Sequence, residues 1–190
     1  MSRTATARRR TSELTTIALI AVLILVAKTV LRMPIRVSGH AGVLWIATLI
    51  IGRTAVRRPG AATLMGLLGG TLVALFQPAG AGPFFTVAKY VLPGMVLDIL
   101  APLFADRFDR LVPAIVAGAA AHASKVAVDL AEGLIAGLRG PLLMTGLTVS
   151  LILHIAFGAL GGIIAALVLR TMIRAQVPQV LGLADEDASP

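Results

Sequence analysis

Long apolar runs broken by short polar turns dominate the chain. Six runs approach or exceed ~18 residues, the length at which an α-helix crosses the hydrocarbon of a bilayer. They fall roughly at 14–32, 40–57, 60–77, 84–104, 111–137 and 142–173. The pattern predicts an all-α integral membrane bundle of six transmembrane helices, joined by short connections and without a soluble domain. It divides the chain into a basic, Ser/Thr-rich tail over 1–13, a transmembrane domain over 14–174 and an acidic tail over 175–190. Both tails read as disordered, because segments this polar bury too little apolar surface to fold. The basic tail does not read as a signal peptide, since no small-x-small cleavage site follows the first span.

Composition points the same way. Hydrophobic residues make up 57% of the 190 positions and mean hydropathy is +0.93, more than a soluble domain of this length hides. The lipid bilayer is therefore the first expected partner. Cysteine is absent, which removes disulfides, thiolate catalysis and Cys-based metal sites. The net charge of +8 raises the question of nucleic acid. The arginines instead cluster between apolar runs, as topology signals do, and no nucleic-acid partner is expected. With the N-terminus inside, the inner segments hold Arg3, Arg8, Arg9, Arg10, Arg53, Arg57, Arg58, Arg107, Arg110, Arg170 and Arg174. The outer segments hold only Arg32, Arg36 and Arg139. That bias predicts a multi-pass protein of the bacterial plasma membrane with both termini cytoplasmic.

Small residues recur at helical spacing: Gly158, Gly162 and Ala166; Gly66 and Gly70; Ala114, Gly118 and Ala121. Membrane helices pack by close backbone approach, which small residues permit. The stripes predict either internal seams or a docking face for another membrane subunit.

Ionisable groups in hydrocarbon are costly unless they meet a partner or a cavity. Here they concentrate in spans four to six: Lys89, Tyr90 and Asp98, then His122, Lys125, Asp129 and Glu132, then His154, with Lys28 near the outer end of span one. On a helix of about 3.6 residues per turn, His122, Lys125, Asp129 and Glu132 fall within an arc of about 80°. They form one stripe climbing from mid-membrane toward the exterior. The stripe predicts one wall of a substrate pocket open to the outside. The alternative is internal pairing, of Lys125 with Asp129 or Asp98 and of Lys89 with Asp129 or Glu132. Trp45 and His40 are expected at the outer interface, where an amphipathic ring is favoured and where either can roof the pocket. Tyr90 suits stacking on an aromatic or cationic ligand, or plain packing. The outer loop Arg32–His40, which includes Arg36, is a candidate lid or an ordinary connector.

Several activities lack their motifs. The chain has no G-x-x-x-x-G-K-[ST], no H-E-x-x-H and no G-x-S-x-G, so it is not expected to hydrolyse nucleotides or to be a zinc protease or serine hydrolase. No cofactor, metal or catalytic residue is predicted. A membrane enzyme using His122 or His154 as a base is a remote alternative.

The segment Gly42–Ala62 resembles the second-to-third span region of hydroxymethylpyrimidine-type substrate-binding subunits of energy-coupling factor (ECF) vitamin transporters. Trp45, Arg57, Pro59, Gly60 and Ala61 carry the likeness, a tryptophan followed by a basic-x-Pro-Gly-Ala turn. Tyr90–Leu100 is similar to the start of the binding half in such subunits, called S components. The resemblance implies a subunit that captures a vitamin or its precursor outside the cell. A separate membrane scaffold and two cytoplasmic ATPases then drive its release inward. Two departures stand out. The family's Ala-x-x-x-Ala scaffold contact is replaced by Ala18 and Ala21, and the chain opens Met1-Ser2-Arg3 rather than with the Met-His of the cobalt and nickel branch. Thiamine or its pyrimidine precursor is the first ligand the resemblance suggests. A cation of that kind requires unpaired acids, whereas a carboxylated vitamin would use the lysines. The other standing reading is a structural or regulatory membrane subunit with no ligand of its own.

Overall fold

A computed structural model describes residues 3–30, 39–77 and 82–176. Among them the chain forms helices and no strand: α1 (Arg3–Val30), α2 (Gly42–Ala55), α3 (Ala61–Phe76), α4 (Pro83–Leu103), α5 (Leu111–Ala123), α6 (Lys125–Ile135) and α7 (Pro141–Arg174). The fold is the expected all-α membrane bundle, with α5 and α6 forming one span broken at Ser124. Four segments, Arg10–Thr29, Pro83–Leu103, Leu111–Ile135 and Leu143–Arg174, have the length and composition to cross a membrane, and α2 and α3 are shorter apolar helices. The outward faces are apolar, with Leu19, Val22 and Leu23 of α1 and Ile152 and Ile155 of α7 exposed. Lipid, not water, suits that surface.

Glycine seams fix the pairing. Gly66 lies against the Tyr90 carbonyl, Gly70 against Val87 and Gly94 against the Ala62 carbonyl, so α3 and α4 run antiparallel. Gly118 lies against Gly158 and Gly162, and Gly162 against Ala114, which sets α5 antiparallel to α7. At Gly66, Gly94, Gly118 and Gly162 a Cβ would collide with backbone, and at Gly70 it would press on Tyr90 and Val87. The small residues that left internal seam and docking face open in the sequence are thus internal. Ala114, Ala117, Ala121, Ala165 and Ala166 complete the α5–α7 contact and are fully buried. Direction alternates along the chain. One end of the bundle, termed the turn end, carries the α2–α3 and α4–α5 connections, and the opposite one is the loop end.

Arg53 organises the turn end. Its guanidinium pairs with Asp98 (Nε–Oδ1 2.9 Å) and Asp106 (Nη1–Oδ1 2.9 Å) and is almost fully buried. Asp98 also accepts from the Thr63 amide at 2.9 Å, the Thr63 hydroxyl at 2.7 Å and the Ala62 amide at 3.3 Å. Helix α3 starts after Gly60 (φ +80°) and has no side-chain cap of its own. Asp98, on α4, therefore supplies the acceptor and negative charge that a helix N-terminus favours. Ala105 (φ +49°) and Asp106 (φ +54°) take the left-handed conformation, reversing the chain after α4 where Asp106 meets Arg53. Beyond them, the hydrogen-bonding Arg107 guanidinium holds the Asp109 carboxyl below the usual carboxylate range. Arg170 Nε donates to the Asp109 carbonyl at 2.8 Å, tying this turn to α7.

One boundary differs from expectation. The tail over 1–13, read as disordered, is helical from Arg3 and continuous with α1. A helix already nucleated by a packed span extends cheaply through Ala, Arg and Glu. The acidic residues of the C-terminal tail lie outside the described residues.

Candidate functional site

Helix α2 begins inside the bundle. The Gly42 amide donates to the Gly39 carbonyl at 2.7 Å, closing a turn in which Gly39 has φ +84°. A methyl group at Gly39 would stand 3.2 Å from the Phe157 ring and 3.5 Å from His122 and His154. Gly42 rests on the His122 imidazole itself, with no room for a Cβ. His122 lies midway along the Leu111–Ile135 span. Trp45, expected with His40 at the outer interface, is buried among the helices at 1% exposure. The physical reason is length. The 14 residues of α2 rise about 21 Å, short of the ~30 Å hydrocarbon core. Its far end is pinned by Arg53 and Asp98, so the shortfall falls at the loop end.

Around this first turn of α2 the predicted site residues converge. The Trp45 ring lies 4.9 Å from Tyr90 and 5.7 Å from His122, meeting the imidazole edge-on. His122 and His154 are 4.5 Å apart between centroids. The Lys125 ammonium sits 5.5 Å from the Trp45 ring centroid, a cation–π arrangement. His122 Nδ1 is 3.0 Å from the His154 carbonyl. A carbonyl only accepts, so Nδ1 carries the proton and, in the neutral ring, Nε2 carries a lone pair. That Nε2 is buried without a hydrogen-bond partner. His154 Nδ1 likewise donates to the Ser150 carbonyl at 2.7 Å, with the Ser150 hydroxyl 3.2 Å away. Both histidines are thus oriented by backbone acceptors on α7.

The span carrying the stripe of ionisable residues is not one continuous helix. The Ser124 hydroxyl takes the Ala121 carbonyl at 2.7 Å, a local bond that competes with the helix ladder and bends it. The stripe splits accordingly. His122 faces α7 and the first turn of α2, Lys125 faces Trp45, and Asp129 and Glu132 face α4. There Lys89 Nζ stands 2.9 Å from Asp129 and 2.5 Å from Glu132. Pro93, one turn on, has no N–H for the Lys89 carbonyl, which loosens α4 beside this clamp.

Of the pairings the sequence left open, Lys89 takes both its candidates and Lys125 takes neither. Among the described residues no acid forms an ion pair with Lys125. Asp98 is not part of the cluster; it is committed to Arg53 and Thr63 at the turn end. Arg36 and most of the candidate lid lie outside the described residues. A cleft of about 420 Å³ opens between α6 and α7, with Asp129, Arg139 and Ser150 among leucines on its walls. Asp129 and Ser150 join this cleft to the cluster, through Lys89 and His154 respectively.

Three contributors escaped sequence reasoning. Arg53 was counted only as a topology charge, although its place inside the apolar run, short of Arg57 and Arg58, was a signal. Ser150 precedes His154 by one helical turn, the spacing of a local bond. Ser124 gave no warning, because serine is common in membrane helices. Compared with family models, curated proteins and solved structures, the chain finds no match.

Proposed function

We propose that this protein is a solute-capture subunit of ECF type, binding a vitamin-like organic molecule at Trp45, Tyr90, His122, Lys125 and His154. One observation supports the reading above others. A lysine, two imidazoles and two aromatic rings converge halfway through an apolar bundle. Small-molecule sites commonly combine apolar walls with a few placed polar groups. The cleft of about 420 Å³ is lined by other residues and meets this cluster only through the partners of Asp129 and Ser150. In this reading the arginine bias turns the loop end outward, both termini are cytoplasmic, and solute enters by the α6–α7 cleft. Energy comes from a partner scaffold and ATPases, since this chain carries no nucleotide motif.

The rival, a structural subunit held together by its charges, draws on the Lys89–Asp129–Glu132 clamp. It does not explain Lys125, which pairs with no described acid, or the buried His122 Nε2, which has no hydrogen bond among the described residues. Buried polar groups used for packing are normally satisfied.

The test is thermal unfolding of the purified chain, without ATP, against a panel of vitamins and precursors that includes thiamine and hydroxymethylpyrimidine. One compound should stabilise the fold, by roughly 3 kcal/mol at a hundredfold excess over Kd. Trp45→Ala should abolish that effect. Silence across the panel, or stabilisation indifferent to Trp45→Ala, would overturn the reading.

A further inference from the structure

We infer that the captured solute is an acid, presenting a carboxylate or comparable oxyanion to Lys125. The inference rests on the capture reading and names its ligand class.

The acids near the cluster are already engaged. Asp129 and Glu132 both bind Lys89, and Asp98 binds Arg53 and Thr63. A cationic solute of the thiamine kind would have to break one of these pairs, which leaves a buried charge without its partner. Lys125 is the opposite case. It lies within a membrane-length span, stacks on Trp45 and pairs with no described acid. A charge at this depth calls for a counter-charge, and the solute is the group that supplies it.

One further feature agrees. The first turn of α2 carries the positive, N-terminal end of that helix, and Trp45 in that turn lies against Lys125. The matching ligand therefore carries an acid on a flat or apolar body beside Trp45.

Trp45 is the chain's one tryptophan, so its fluorescence reports directly on this site. The protein in phosphatidylcholine nanodiscs is titrated with nicotinate, pantothenate, biotin and folate, with the carboxamide of each, and with thiamine and pyridoxine. The expected result is an acid that binds at least tenfold tighter than its own carboxamide. Lys125→Met should erase that preference, and Lys125→Arg should keep it. A response from thiamine, pyridoxine or a carboxamide that Lys125→Met leaves unchanged overturns the acid assignment while capture stands. Silence from every compound contradicts capture itself. A Lys125-dependent response to phosphatidylglycerol in the disc, with none from the soluble acids, assigns the oxyanion to a lipid headgroup and also overturns the inference.

Discussion

Two lysines and two aspartates at membrane depth show how far a residue's identity determines its role. Lys89 and Lys125 sit in equally apolar surroundings in the sequence, yet one grips two carboxylates and the other pairs with none. Asp129 belongs to the cluster, whereas Asp98 caps α3 in company with Arg53. That the polar residues of spans four to six mattered was legible, because each is costly in hydrocarbon. Which of them would meet was not, since the Arg53–Asp98 contact joins residues 45 positions apart. Asp98→Asn should therefore act on stability rather than on binding. It strips Arg53 of one of its two carboxylates and weakens the α3 cap, and removing one member of a buried pair costs about 3–5 kcal/mol. Unfolding of the variant in detergent should show a loss of that order. If a solute is bound, its affinity should be unchanged.

At the scale of helices, the six apolar runs were readable because hydrocarbon demands them, and apart from the start of α1 their ends fall within a few residues of the helices formed. The depth at which each helix starts was not readable. Run length alone placed Trp45 near the membrane surface, but α2 is short and anchored at its other end. The Ser124 break was equally hidden. It turns one expected helix face into separate contacts with α2, α4 and α7. The small-residue stripes were visible as seams, and the structure assigns them to α3–α4 and α5–α7. Gly118→Leu tests the second seam, because a side chain there meets the Gly158 carbonyl and Gly162. The seam must open or the helices must shift, and overpacking of this kind typically costs about 1–3 kcal/mol or more. A drop in melting temperature with broadened unfolding is the expected outcome, and Ala127→Leu on an exposed position of α6 should show little change.

For the molecule as a whole, the two ends do different work. The turn end is closed by the ion pairs of Arg53 with Asp98 and Asp106, while the loop half holds a lysine with no acid partner and a buried imidazole nitrogen with no hydrogen bond among the described residues. Proteins commonly carry such local deficits where a ligand makes them good, at some expense in stability. That difference gives the central claim a test that requires no ligand. Unfolding free energies are measured in detergent for Lys89→Met and Lys125→Met beside the parent chain. Lys89→Met abandons two half-buried carboxylates and should fall by up to about 3 kcal/mol, less than the loss of a partner costs at a fully buried pair. Lys125→Met abandons no acid, removes an uncompensated charge and keeps an apolar stem on Trp45, so it should match or exceed the parent in stability. A Lys125→Met variant that falls as far as Lys89→Met would show that Lys125 holds the bundle together, and would contradict a binding site there.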